Sequence, residues 1–297
     1  MENIKSILVS GIAPMNDHAA NRGEKILGNA SSIKRRPDGK VYISGQMQRH
    51  VIFSAIERLN ENHNGTYVSN GDGPSTEIDK DLRSDLGGFL DTNKGGYSGR
   101  RTAPLTATPA VALEESSIGT DLLVRLKMDV TEGTKDGKKQ ALAVNEYSTN
   151  DKILMNFHLD VGAVGVIKTF KYENQYHIES NYESKIDDDE HARRVNLFLE
   201  AAGSMTDYAN QARNAVSGEM NKVLIVLDNK LSRKAIRYFH TDTSETEQKN
   251  ILAELDDRKA KYYLGDDTTE DGLTVAKAFQ EAKKELTKKS LYRPNYG

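Results

Sequence analysis

Apolar positions along the chain follow two spacings, one typical of strands and one typical of helices. A β-branched-rich apolar run at residues 4–13 is closed by Pro14 and predicts a first, buried strand. After Ser44, a favourable N-cap residue, apolar residues recur at helical spacing as far as Leu59 and predict a first helix. The polar stretch between them, residues 16–40, is a long loop of the kind that is usually functional or disordered.

The middle of the chain predicts further strands. Residues 105–113 read as a strand that Pro109 pushes toward an edge or a bulge. Apolar runs at 122–128 and 140–144 flank a charged turn and predict a long β-hairpin. The clear alternation of apolar and polar residues over 153–161 predicts a half-buried strand.

The last third of the chain reads mainly as helices. Four acidic residues at 187–190 open a helix that Gly203 closes, and residues 223–227 form a short apolar strand. Two amphipathic helices are expected near residues 244–260 and 270–288.

Residues 65–99 interrupt this pattern. They show little periodicity and much Gly, Asn, Asp and Ser, which predicts a mobile surface insertion and no second core. Without the insertions, the order is strand, helix, strand, strand, helix, strand. That is the order of the split βαβ or ferredoxin-like folds, which RNA-recognition motifs (RRMs) share. The sequence therefore predicts an α+β fold, although many unrelated functions use it.

Composition narrows the classes of function. The 297 residues carry 41 Lys and Arg against 44 Asp and Glu, a formal net charge of −3 that is unlike a histone-like or polybasic protein. Cysteine is absent, which excludes disulfides, thiolate metal sites and a cysteine nucleophile. The start of the chain lacks a signal-peptide pattern, and no apolar run approaches the roughly 18 residues of a membrane helix. We therefore expect a cytoplasmic protein without membrane association.

Candidate catalytic residues are sparse. The seven histidines include no pair at i, i+4, and the glycines fit no phosphate-binding loop or dinucleotide fingerprint, so we expect no metal and no cofactor. Acidic clusters at 187–190 and 266–271 precede helices, where carboxylates stabilise the N-terminus. Asp17 follows the first strand near the basic stretch, where it is either a turn former or a carboxylate that acts on a bound backbone.

Basic residues concentrate in residues 22–58, with eight Lys and Arg against three Asp and Glu. This stretch runs into Ser44 at the helix start, where free backbone N–H groups can bind a phosphate and the small residues Ser44 and Gly45 let a ligand approach closely. Arg49 and His50 are expected beside that anion site, together with Gln46. The stretch is therefore either a solvated loop or a surface for RNA or another polyanion.

Two later groups extend this candidate surface, one at the end of the Gly-rich insertion and one just before the last strand. Such residues would hold backbone or sugar and carry little base specificity. The candidate RNA-binding residues are Asn21, Arg22, Lys34, Arg35, Arg36, Ser44, Gln46, Arg49, His50, Arg100, Arg101, Asn210, Gln211 and Arg213.

An ordered set of motifs resembles one known family. The motifs are YISGQMQRH at residues 42–50, the NRGE loop at 21–24, RRTAPL at 100–105 running into TPAVAL at 108–113, and ANQAR at 209–213. Together they resemble the DevR-type, type I-B branch of the CRISPR-associated Cascade backbone subunits, in the RAMP superfamily. The resemblance spans roughly residues 4–227, and the order of the set is what makes it specific.

The resemblance implies the architecture of a right hand. It has a ferredoxin-like, RRM-like palm, an inserted fingers region, a β-hairpin thumb and C-terminal helices. The palm would comprise residues 1–60, 104–113 and 151–227, the fingers 61–103, the thumb 114–150 and the C-terminal helical extension 228–297. The thumb of such subunits displaces a base, and because this hairpin lacks Trp and Phe, Met128 and Val130 are the candidates here.

The resemblance also implies a non-catalytic subunit that polymerises along a CRISPR guide RNA (crRNA) and presents it to target DNA, in antiviral defence or RNA-guided transposition. The implied partners are crRNA, target DNA through the crRNA, adjacent copies of the chain, small capping and large Cascade subunits, and recruited helicase-nuclease or transposition proteins. Two alternatives stay open. One is an RNA-guided ribonuclease that uses Asp17, as in related type III subunits, and the other is a monomeric RNA-binding module.

Overall fold

The computed structural model describes residues 3–21, 32–61, 76–92, 98–126, 141–174, 176–209 and 214–294. The strands are β1 (Ser6–His18), β2 (Tyr42–Ile43), β3 (Phe89–Thr92), β4 (Ser98–Arg101), β5 (Leu105–Ala107), β6 (Ala110–Ala112), β7 (Ile118–Leu126), β8 (Ala141–Asp160), β9 (Val166–Glu173), β10 (Tyr176–Ser184), β11 (Lys222–Asp228) and β12 (Lys261–Asp266). The helices are α1 (Gly45–Leu59), α2 (Leu82–Gly87), α3 (Asp188–Ala202), α4 (Glu245–Asp257) and α5 (Val275–Lys288), with short 3₁₀ turns at Val161–Ala163 and Lys234–Arg237.

The main sheet has the strand order of a ferredoxin-like fold. Its strands run β12-β11-β1-β8-β6-β2, with β5 and β7 also paired to β8. The four strands that the sequence predicted for this fold are β1, β6, β8 and β11 in chain order, and they lie side by side as β11-β1-β8-β6. Strand β1 pairs antiparallel with both β11 and β8. The predicted α+β class is confirmed.

Helices α1 and α3 cover one face of the sheet. Ile7 and Val9 of β1 lie in the same buried cluster as Ile52 of α1 and Phe198 of α3. Because neighbouring residues of a strand point to opposite faces, the intervening Leu8 lies on the other face, in a second cluster with Ile251 of α4. The sheet is therefore covered by helices on both sides at β1 and β11.

Both of the larger predicted palm helices begin at the expected caps. The Ser44 hydroxyl accepts a hydrogen bond from the backbone N–H of Met47 at 3.2 Å, and the Asp187 carboxylate accepts one from Glu190 at 2.8 Å. Each bond satisfies one of the N–H groups that a helix start leaves free. Pro109 lies between β5 and β6, which both pair with β8, and the registers of the two pairings differ by one residue. The strand thus bulges at Pro109, one of the two outcomes that were expected there.

The sequence predicted that the 65–99 insertion lies on the surface, outside the core. The described part of this insertion instead contributes to the core. Leu82 and Leu86 of α2 are buried in the main hydrophobic cluster. Asp81 caps this helix, and its carboxylate accepts hydrogen bonds from the N–H groups of Arg83 and Ser84. A helix of six residues is too short to show a helical period in the sequence, so its apolar residues escaped detection.

Residues 228–297 contain the two predicted helices, α4 and α5, but they are not purely helical. Strand β12 pairs antiparallel with β11 and extends the main sheet. A two-stranded β9–β10 ribbon outside the main sheet was also not predicted. Most of its side chains are exposed on both faces, which weakens the alternation that identifies a strand. No helix in the described part of the chain is long and apolar enough to cross a membrane.

Candidate nucleic-acid interface

The predicted basic loop is held against the strand that leads into α1. Asn21 is buried, and its side-chain amide donates to the carbonyl of Lys34 at 2.9 Å and to that of Tyr42. Its oxygen accepts from the Lys34 N–H at 3.0 Å. We call residues 34–36 the basic loop, because the side chains of Lys34, Arg35 and Arg36 are all exposed. Asn21 therefore positions the loop and offers no exposed group of its own.

The start of α1 lies next to this loop. Ser44 and Gln46 are exposed at the helix start. The glycine between them has a structural cause, since a Cβ at Gly45 would lie 2.8 Å from the carbonyl oxygen of Ala107. The sequence had suggested that this glycine makes room for a ligand. The structure instead shows that it makes room for the segment between β5 and β6.

Arg49 points away from the expected anion site. Its guanidinium donates a hydrogen bond to the carbonyl of Gly87 and lies 5.7 Å from the ring centroid of Phe53. Burial, with the nearby Arg83, lowers the pKa of Arg49. Arg49 thus fastens α1 to the end of α2.

His50, by contrast, stays on the surface. Its imidazole is half exposed and lies 3.6 Å from the carboxylate of Asp207. The same carboxylate accepts a hydrogen bond from the Ser54 hydroxyl at 2.7 Å and lies 3.9 Å from Arg58. Asp207 was not selected from the sequence, although it lies two residues before the ANQAR motif at 209–213. It joins α1 to the segment before β11.

Arg100 and Arg101 have opposite environments. Arg100 is exposed, whereas the Arg101 side chain is 8% exposed. The Arg101 Nη2 contacts an Asp85 carboxylate oxygen at 2.5 Å and donates to the carbonyl of Ala163 at 2.8 Å. Its Nη1 donates to the carbonyl of Val166, and its Nε donates to the carbonyl of Asp85 at 3.2 Å. Burial lowers the pKa of Arg101, against the effect of Asp85. Its predicted place on an RNA-binding surface is corrected, because every nitrogen of this guanidinium is used inside the protein.

Some candidate residues lie outside the described part of the chain. They are Arg22, Asn210, Gln211 and Arg213 of the RNA-binding set, and Met128 and Val130 of the thumb. The strands that lead to that hairpin are described, and their register runs from Ile118 opposite Thr149 to Leu126 opposite Ala141.

Asp17 lies at an irregularity in β1, where the register with β8 shifts. It adopts a φ of 48°, a left-handed conformation in which Asp and Asn are enriched. Its backbone N–H donates to Asn150 at 2.6 Å, and its carbonyl accepts from Asn214 at 2.5 Å. The backbone of Asp17 thus forms a tight turn, while its carboxylate is exposed.

The neighbouring residue, His18, is buried, and its Nε2 is hydrogen-bonded to the Asp151 carboxylate at 3.0 Å. Burial alone would raise the pKa of Asp151, but hydrogen bonds from His18, Ser116 and Thr149 outweigh it and hold the pKa below its usual value. Within the described ranges, no group of three or more His, Asp or Glu side chains is placed to hold a metal ion.

Comparisons with known proteins give one family match and two similar folds. The sequence model of the CRISPR-associated negative auto-regulator DevR/Csa2 matches residues 9–226. No curated protein sequence matches the chain. The fold is similar to a chain of a solved "CRISPR RNA-guided surveillance complex, pre-nicking", with a TM-score of 0.59 and 11% identity over 95% of this chain and 99% of that chain. A chain of a second "CRISPR RNA-guided surveillance complex" gives a TM-score of 0.54 and 14% identity over 94% and 99%.

At this level of identity, the two solved structures show only that the fold is similar. The family assignment rests on the match to the family's sequence model. That match covers well over half of the 297 residues and includes the basic loop, α1 and most of β11. This chain therefore belongs to the CRISPR-associated DevR/Csa2 family.

Proposed function

We propose that this chain is a non-catalytic, guide-RNA-binding backbone subunit of a CRISPR surveillance complex. Copies of the chain polymerise along one crRNA and present it for pairing with target DNA. Membership of the DevR/Csa2 family and the fold shared with chains of two RNA-guided surveillance complexes support this function. The observation that carries it is the exposed basic loop, which Asn21 holds beside the start of α1.

The chemistry of that surface suits an RNA backbone. Three exposed cations, Lys34, Arg35 and Arg36, can neutralise neighbouring phosphates, and the free N–H groups at the start of α1 can bind another. Contacts of this kind position a strand without reading its sequence. A guide RNA whose sequence varies needs such a surface, because base pairing supplies the specificity.

The β9–β10 ribbon offers a second contact with the strand. Strand alternation places Lys168, Phe170 and Tyr172 on one face, and the cross-strand register adds Tyr182 and His177. The Lys168 ammonium lies 5.1 Å from the Phe170 ring centroid and 5.3 Å from that of Tyr182. We call this the aromatic face of the ribbon.

The acidic residues of the ribbon lie on its other face. Glu173 alternates with Tyr172, and the register places Glu179 opposite Lys171 and Glu183 opposite Ile167. The aromatic face therefore combines exposed rings with a cation and has no carboxylate within the described strands. Rings and cations without carboxylates are what unpaired bases and their phosphates require. We propose that this face stacks on an unpaired base of the bound strand.

We propose that the subunit contacts the other components of a CRISPR surveillance complex. They are adjacent copies of the chain, small capping and large subunits, target DNA paired with the guide, and recruited helicase-nuclease or transposition proteins. We assign the complex to the type I-B branch and to the cytoplasm.

Co-expression with a repeat-spacer transcript tests the function. We expect a large particle in size exclusion, a raised ultraviolet absorbance ratio, and protected RNA that lengthens in regular steps. Reversing the charges of the basic loop (Lys34→Glu, Arg35→Glu, Arg36→Glu) should abolish all three. The matched control is the triple variant Lys277→Glu, Lys284→Glu, Lys288→Glu, which reverses three exposed charges on α5. Protein-only monomers, also after the addition of the capping and large subunits, would refute the proposal.

A further inference from the structure

A cleft of about 370 Å³ is lined by Leu154 and Asn156 of β8. Because Met155 and Phe157 pack in the cluster with α1 and α3, strand alternation places the cleft on the opposite face of the sheet. Its floor contains Asn156 of β8 and Thr108, which precedes β6, and its two walls come from distant parts of the chain. One wall is the turn at Arg36 and Lys40, and the other is the 3₁₀ segment at Arg237. The volume falls near the small end of the range of about 300–1,000 Å³ that is typical of ligand pockets.

The floor holds a polar group that lacks a partner. Asn156 is 8% exposed, and its amide nitrogen donates to the Thr108 hydroxyl at 3.2 Å. Its side-chain oxygen has no hydrogen-bond donor among the described residues. A buried acceptor left in this state costs about 1–3 kcal/mol, so the cleft favours a ligand that supplies an N–H group.

The rim is positively charged. Arg36, Lys40 and Arg237 line it against one acidic residue, Asp38. Arg36 lies 3.7 Å from Asp38, and Arg237 pairs with Glu247 on α4 at 2.7 Å. The Lys40 ammonium has no ion-pair partner within the described part of the chain. Lys40 is therefore the cation that is best placed to bind an anionic ligand.

Apolar side chains make up much of the remaining lining. These residues are Pro109, Val111, Leu113, Leu154 and Ile236. A ligand that fits has an anionic group for the rim, a flat apolar body for the walls and an N–H donor for Asn156. A nucleotide has all three, since its phosphate is anionic, its base is flat, and the base edge carries N–H groups.

We infer that this cleft binds one nucleotide, with its phosphate at Lys40 and Arg36 and an N–H of its base donating to the Asn156 oxygen. The nucleotide is either free or part of a single strand. Arg36 belongs to both the basic loop and this cleft, whereas Lys40 and Asn156 line only the cleft. The inference is therefore tested at Lys40 and Asn156, which the proposed function does not use.

Titration of the full-length protein tests the inference. The ligands are the four nucleoside 5′-monophosphates, the matching nucleosides, inorganic phosphate and a short single-stranded RNA, each measured by calorimetry. Asn156→Leu removes the acceptor, and Lys40→Ala removes the cation. The matched control is Ser10→Ala, because Ser10 faces Asn156 across the β1–β8 pair and also has a buried hydroxyl without a partner among the described residues.

We expect saturable binding of at least one monophosphate, weakened about tenfold by each of Asn156→Leu and Lys40→Ala and unchanged by Ser10→Ala. If only the RNA strand binds and both variants weaken it, the nucleotide belongs to a strand. If inorganic phosphate binds as tightly as the nucleotides, or binding ignores both variants, the inference is wrong. The double variant Lys34→Glu, Arg35→Glu should leave binding in the cleft intact, which separates this site from the proposed guide surface.

Discussion

Asp85 and Arg194 form a buried ion pair with 2.7 Å between Oδ2 and Nη1, and their side chains are 0% and 2% exposed. The other Asp85 oxygen contacts Arg101 at 2.5 Å, and both oxygens accept the backbone N–H of Gly165 at 2.9 and 3.0 Å. One carboxylate therefore joins α2, β4, α3 and the base of the β9–β10 ribbon. It fixes where the ribbon leaves the main sheet.

Removing this charge should destabilise the protein strongly. Asp85→Asn leaves Arg101 buried without an anion and Arg194 with only Glu190, and breaking such a buried pair costs about 3–5 kcal/mol. Urea unfolding followed by circular dichroism measures the change in the free energy of unfolding. Asp79→Asn is the control, because its carboxylate is exposed and only its carbonyl accepts from Arg194. Equal stability of the two variants would show that the Asp85 network contributes little.

The same network shows how far the sequence could predict this site. Lysines and arginines were selected as candidate phosphate ligands, and the side chains of Lys34, Arg35 and Arg36 are exposed. Arg49 and Arg101 bind protein carbonyls or a carboxylate instead. A guanidinium forms similar hydrogen bonds to phosphate and carboxylate, so residue type alone cannot separate the two.

Elements whose signals lie within a few neighbouring residues were predicted, whereas contacts between residues far apart in the sequence were not. The helices α1 and α3 have local caps and helical spacing, so their starts could be read directly from the chain. Asp85 pairs with Arg194, which is 109 residues away, and no local pattern records such a pairing. Strand β12 is similar, because its place is set by pairing with β11.

The basic loop should control the salt dependence of RNA binding. Each cation that contacts a phosphate of single-stranded RNA contributes about 0.7 to the slope of log Kobs against log salt concentration. Lys34→Gln and Arg35→Gln should each lower the slope by about that amount, whereas Lys277→Gln on α5 should leave it unchanged. Filter binding over a series of salt concentrations measures the slopes. Identical slopes for all variants would place the RNA elsewhere.

The aromatic face of the ribbon should contribute affinity that salt affects little. Tyr172 and Tyr182 are 39% and 41% exposed, and stacking of one base on an aromatic side chain contributes about 1–3 kcal/mol. Replacing either by Ala should weaken the binding of single-stranded RNA about tenfold or more, while Phe should preserve it. Thr169→Ala on the opposite face serves as the control, and fluorescence anisotropy gives the affinities. Loss of binding in that control as well would assign the effect to ribbon folding.

His158 should make the protein less stable in mild acid. It is 3% exposed, and burial, with the nearby Arg233, lowers its pKa from 6.5 to about 4. Between these pH values the unfolded chain binds a proton that the folded chain does not, so stability falls as the pH drops from 6.5 toward 4.

The loss should reach up to about 3 kcal/mol. His158→Leu should flatten this part of the profile, as measured by urea unfolding at pH 7, 6 and 5. A profile that keeps its full slope in the variant would assign the acid sensitivity to other groups.

Asp17 decides between a scaffold and a ribonuclease. Its backbone rather than its carboxylate makes the contacts that hold the turn, so the carboxylate can be changed without loss of the fold. Asp17→Asn keeps a residue that tolerates the left-handed φ of 48° and removes only the charge. With guide RNA bound and magnesium present, we expect no cleavage of a complementary RNA by the wild type or the variant, and equal protection of the guide. Cleavage by the wild type that Asp17→Asn abolishes would identify the chain as a nuclease, since the variant retains the turn and loses only the reactive group.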